Sequence, residues 1–85
     1  MDKYSYLGYI DEILDKSEVS YHHLGLWFRL FLENDTYSIK GIEDNGNNKV
    51  VVYKGSDIDW CINTKVPIAF QGTLQGFENW LKNNK

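Results

Sequence analysis

Leu24-Gly25-Leu26-Trp27-Phe28-Arg29-Leu30-Phe31-Leu32 places an apolar side chain at every even position, and Trp27 and Phe31 at odd positions are large and apolar as well. Alternation with a period of two marks a strand with one buried face. The aromatic residues on the other side require a second cover, from a helix or a partner. A helical reading of Leu24, Trp27, Phe28 and Phe31 also satisfies the spacing. Alternation and β-forming aromatic residues favour a single long strand, entered near Ser20 or Tyr21.

Upstream, Tyr6, Leu7, Ile10, Ile13 and Leu14 recur at spacings of three and four, which predicts a helix over 3–16 with Asp2 as N-cap and a polar stop at Lys16-Ser17-Glu18. Downstream, Glu33-Asn34-Asp35 forms a turn, and Thr36 to Ile42 alternate as a second strand. Asp44-Asn45-Gly46-Asn47-Asn48 is a turn rich in residues that tolerate positive φ, so Lys49 to Lys54 returns as a hairpin partner. In that partner Val50 and Val52 share one face, Val51 and Tyr53 the other.

Residues 56–63 read either as a helix capped by Ser56 or as a strand alternating at Ile58, Trp60 and Ile62, and the strand is favoured. Val66 to Phe70 is extended, with Pro67 confining it to an edge or a strand start. Thr73 caps a last helix whose inward stripe is Leu74, Phe77, Trp80 and Leu81, Gly76 allows close packing on the sheet, and the Lys/Asn-rich tail is expected to fray. The sum is an α+β fold: an antiparallel β-meander of about four or five strands with an N-terminal and a C-terminal helix packed on the sheet, one compact domain over 1–85.

A chain of 85 residues buries only about 60–65% of its unfolded surface, so each large apolar group matters. Three Trp, six Tyr and four Phe supply much of that area, and some are expected at the surface. Cys61 is the one cysteine, which excludes an intramolecular disulfide and suits a reducing, cytoplasmic compartment. No stretch approaches the ~20 apolar residues of a membrane span, and no basic-then-apolar leader is seen at the start. Net charge is −3, with nine acids against four bases in residues 1–48 and three against five in 49–85. The lysines are scattered, without the basic stripe of a nucleic-acid binder.

Chemical motifs are equally sparse. His22 and His23 are adjacent, so on a strand they face opposite ways; one of them with Cys61 and Asp59 matches no zinc spacing. Cys61 between Trp60 and Ile62 reads as a packed thiol, lacking the base and activating surroundings of a nucleophile. Asp57 and Asp59 would share a face if extended, a geometry open to acid/base work but equally to a solvated turn. Gly72-Thr73-Leu74-Gln75-Gly76 lacks the lysine and glycine spacing of a phosphate loop. No catalytic residue, metal or cofactor is indicated.

What remains is a surface of acids and aromatic residues: Glu33, Asp35, Glu43 and Asp44 near strand ends, with Trp27, Tyr37, Tyr53, Asp57, Asp59 and Trp60. Aromatic residues anchor protein interfaces and acids steer basic partners. In size, acidity and lack of catalytic equipment the chain is similar in type to small bacterial or phage inhibitors, immunity proteins among them, though no specific motif carries the resemblance. Its abundant Asn, Lys, Ile and Tyr fit an AT-rich genome. The expectation is a cytosolic inhibitor that occludes a partner protein, such as a basic toxin or nuclease, through Trp27, Tyr37, Glu43, Asp44, Tyr53, Asp57, Asp59 and Trp60. The alternatives are a small-ligand or sensory domain with an aromatic pocket, and a homodimer paired through a sheet face or edge.

Overall fold

The computed structural model describes residues 5–44 and 47–85, with side chains over 6–42 and 49–85. Its order is α1 (Ser5–Lys16), β1 (Ser20–Leu24), β2 (Trp27–Leu32), β3 (Asp35–Asp44), β4 (Asn47–Lys54), α2 (Ile58–Thr64), β5 (Ile68–Thr73) and α3 (Leu74–Asn84). The strands form one antiparallel sheet in sequence order, a meander. The expected α+β architecture is therefore the observed one.

Two expectations are corrected. Leu24 to Leu32 is not one strand but a tight hairpin, with Leu24 facing Trp27 across a two-residue turn at Gly25-Leu26. Gly25 has φ 71°, a left-handed value that glycine adopts at no steric cost, so the chain reverses there. The reversal also changes the parity of the alternation. Phe28 and Leu30 point into the core, whereas Leu24 lies on the face of Trp27 and Leu26 stands out at the turn. The second correction is 56–63: Ile58–Thr64 is a helix, capped by Asp57 rather than Ser56. Asp57 accepts from the Trp60 N–H, and this local bond together with the i, i+3 burial of Ile58 and Cys61 outweighs the period-two pattern.

At the N-terminus α1 begins in the described residues at Ser5, and the Asp2 cap lies outside them, as do Asn45 and Gly46 of the β3–β4 turn. On β4, Val50 and Val52 share a face and Val51 takes the other, as expected, with Ile39 facing Val52 and Lys40 facing Val51. Thr73 caps α3 by accepting from the Gly76 N–H. The Lys/Asn-rich tail is part of the last helix: α3 runs to Asn84, and the Lys85 side chain donates to the Ser17 carbonyl at 3.0 Å.

The core lies between the sheet and the α1–α3 layer. Ile10 and Leu14 of α1 and Phe77 and Leu81 of α3 are fully buried against Phe28, Leu30, Ile39, Val50 and Val52. The two helices are tied at their outer edges by Lys16 and Glu78, 3.1 Å apart. Tyr6 closes one end by lying directly over Gly41: a Cβ at position 41 would sit 2.1 Å from its ring carbons. Gly41→Ala is therefore expected to destabilise the fold by about 1–3 kcal/mol, read as a lower urea midpoint with unchanged m; an unchanged midpoint would contradict the Tyr6 packing.

Candidate functional site

The second sheet face is built from Trp27, Arg29, Ser38, Lys40, Val51 and Tyr53, the residues of opposite parity to the core. Val51 and Ser38 at its centre are buried, and α2 provides the cover. The link into α2 is fixed by three bonds: the Gly55 N–H donates to the Thr36 carbonyl (3.0 Å), the Ser38 hydroxyl to the Gly55 carbonyl (2.7 Å), and Arg29 Nε to the Ser56 carbonyl (2.6 Å). Buried Ser38 thus has its partner in the main chain it holds. Gly55 is small because α2 packs against it: a Cβ there would lie 2.5 Å from Cys61 Sγ.

A seven-residue helix has little stability of its own, so its ends matter. Asp57 caps the start, and Asp59 adds an acid to the first turn, where the helix dipole favours negative charge. At the end Lys65 adopts φ 54° and its N–H reaches the Cys61 and Ile62 carbonyls. The Thr64 hydroxyl donates to the Trp60 carbonyl at 2.7 Å.

Held this way, α2 buries Ile58 and Cys61 and presents its other side to solvent. Trp60 is 55% exposed and Ile62 40%, and Leu26 at the β1–β2 turn is 57% exposed. Leu26 and Ile62 line one cleft of about 310 Å³ together with Trp27, Lys40, Ile58, Asp59, Gly41 and Tyr6. The cleft runs round the end of β2, where β3 continues past its neighbour, and so borrows walls from both layers. The Arg29 guanidinium carbon is 5.2 Å from the centre of the Trp27 ring, which holds that indole in place.

Of the residues expected from the sequence, Trp27 and Tyr53 lie on the second sheet face and Asp57, Asp59 and Trp60 on the α2 that covers it, with Trp27 and Asp59 sharing the cleft. Tyr37 lies on neither: it shares the face of Ile39, and its ring meets Trp80 edge-on at 5.5 Å. Glu43 and Asp44 follow Gly41 on the end of β3 that overhangs β2, opposite Asn48 and Asn47, and their side chains fall outside the described residues. Leu26 and Ile62 were missed. Gly25 signals the turn that exposes Leu26, and the i, i+4 pair Ile58 and Ile62 becomes visible only once 58–64 is read as helix.

Asp57 and Asp59 do not form a carboxylate pair for acid/base work, because the Asp57 carboxylate is committed to the helix cap. Cys61 is fully buried. Among the described residues, no cluster of three or more His, Cys, Asp or Glu side chains could hold a metal, and no helix is long and apolar enough to cross a membrane.

A separate acidic surface lies on α1 beside β1. There the Tyr21 hydroxyl donates to an Asp11 carboxylate oxygen. That bond, partial burial and the negative charges of Asp11 and Asp15 push the phenol up to about 12 from the ordinary 10.0. A raised folded-state value stabilises the fold below pH 10.0, and the benefit is lost as pH rises from there through about 12.

Two outcomes are expected. Gly55→Ala should cost about 1–3 kcal/mol by lifting α2, and less in a Cys61→Ala background; strict additivity in a double-mutant cycle would contradict the contact. In an alkaline NMR titration the Tyr21 ring should move late, near 12, and Asp11→Asn should bring it back towards the ordinary tyrosine range; an unmoved transition would refute the bond. In comparisons with known proteins, no family model, curated protein or solved structure matches the chain.

Proposed function

We propose that this chain is a small acidic protein-binding inhibitor, which blocks a partner by covering a functional surface with its α2 side. The observation that carries the reading is the division of α2. Ile58 and Cys61 seal the second sheet face, while on the same helix Ile62 stands beside Leu26 in the cleft and Trp60 is exposed on the other flank, next to Gly55. Isolated exposed apolar residues are ordinary, but a tryptophan and two aliphatic residues on a short, firmly capped helix and the adjoining turn supply the rigid anchors of an interface.

Charge supplies direction. The chain carries −3 net, and Asp57 and Asp59 flank Trp60 on the same side, so a basic partner is favoured both in approach and in docking. A toxin or nuclease with a basic active surface fits this chemistry, and covering that surface needs no catalysis by the inhibitor. The contact set is Trp27, Tyr53, Asp57, Asp59 and Trp60, extended by Leu26 and Ile62, with Glu43 and Asp44 contributing to steering. A lone buried thiol suits action in the cytoplasm.

The test is capture from lysate of the source cell and of proteins encoded beside this one, followed by affinity measurement on whatever binds stoichiometrically. Trp60→Ala is expected to weaken binding by about 2 kcal/mol, roughly thirtyfold. Converting Glu43, Asp44, Asp57 and Asp59 to their amides should slow association and flatten its salt dependence, with the α2 cap retained because Asn caps as well as Asp. A partner whose activity is untouched, or whose affinity ignores both sets of changes, would defeat the proposal.

A further inference from the structure

Among the described residues the edge of the sheet at β1 is free, and it carries a second surface. β1 is first in the sheet order and has β2 as its neighbour on one side. Its turn is two residues long, with Gly25 at φ 71° and Leu26 outside the left-handed region, the combination of a type II′ hairpin. In such a hairpin the closing pair, Leu24 with Trp27, exchanges both main-chain bonds, and bonded pairs then alternate along the ladder. His22 and Ser20 consequently bond inward to β2, and the N–H and C=O groups of Tyr21 and His23 point outward.

This edge lacks the usual protection. At the other edge Pro67 precedes β5, and the register with β4 shifts at Val52/Tyr53. β1 reads Ser-Tyr-His-His-Leu, with no proline, lysine or bulge to discourage pairing. The side chains of Tyr21 and His23 lie on the α1 side of the sheet, His23 stacked on Phe28 at 4.3 Å and Tyr21 bonded to Asp11. Immediately beside them is an open cleft of about 350 Å³ walled by Gly8, Asp11, Glu12, Asp15 and Tyr21. Among the described residues, neither Glu12 nor Asp15 takes part in an ion pair. The Tyr21 phenol is pushed up first by its bond to Asp11, then by partial burial and by the charges of Asp11 and Asp15.

We propose that the β1 edge accepts an extended strand of a partner protein, paired to the main chain of Tyr21 and His23 and carrying basic side chains that enter the acidic cleft. Main-chain bonds supply the affinity and alternate side chains the selectivity, the logic of strand addition. A second copy of this chain fits less well, because its β1 brings no lysine or arginine and its α1 doubles the acids at the junction. The surface goes beyond the α2 reading, since α2 covers the opposite face of the sheet.

The test uses the isotope-labelled full chain and short peptides of alternating valine and lysine, of valine and glutamate, and of the lysine sequence with alternate main-chain nitrogens methylated. The lysine peptide is expected to bind saturably, shifting 20–24 and the α1 flank and slowing amide exchange at Tyr21 and His23. The glutamate and methylated peptides should bind at least about tenfold more weakly, and Glu12→Gln with Asp15→Asn should weaken the lysine peptide to a similar degree. His23→Pro removes an outward N–H without touching the β2 ladder and should abolish binding; if that variant does not fold, the methylated peptide decides alone. Trp60→Ala should change nothing here, which separates this surface from the α2 reading. Absence of saturable binding, or binding indifferent to methylation, overturns the proposal. So does concentration-dependent protection of Tyr21 and His23 without peptide, which would assign the edge to a second copy.

Discussion

The approach of α2 to Gly55 is the contact on which the second half of the structure depends. A central antiparallel strand has two faces, and on β4 both are apolar: Val50 and Val52 enter the main core, Val51 the other side. Without a cover, Val51 and the Ser38 hydroxyl would meet water on a sheet that its own helices dry on one face only. The missing Cβ of residue 55 lets Cys61 come close enough to seal that face. The three bonds made by Gly55, Ser56 and their partners then fix where the helix starts.

This sealing also accounts for the exposed side. A helix of seven residues presents few positions, and those not used against the sheet must face solvent. Trp60 and Ile62 occupy such positions where polar residues would be cheaper, and they do so on a backbone capped at both ends. Rigid presentation lowers the entropy lost on association. The same platform that closes the core is the one on which the proposed interface rests, with Asp57 and Asp59 at its N-terminus favoured by the helix dipole.

The sheet and its two flanking helices were legible because periodicity there reflects one dominant contact. Ile10, Leu14, Phe77 and Leu81 face the same layer, so their spacing is unambiguous. The quoted run from Leu24 misled because a hairpin with a two-residue turn keeps apolar residues alternating on both sides of the reversal, and only Gly25 records the break. Residues 58–62 misled for a related reason: Ile58, Trp60 and Ile62 fit a period of two, but Trp60 and Ile62 are exposed while Ile58 and Cys61 are buried, and the capping bond from Asp57 decides the element. Tyr37 and Tyr53 looked alike in sequence, yet the parity of β3 against β4 sends them to opposite faces. Which of the proposed contact residues share a side of the sheet is thus decided by the register, which residue types alone do not supply.

The central claim is that α2 is the docking surface, and its most direct measurement is amide hydrogen exchange across the chain, free and with its bound partner protein. The account requires added protection over residues 57–64 and at the Gly25–Trp27 turn. Unchanged exchange in both segments of a complex that otherwise forms stoichiometrically would contradict it.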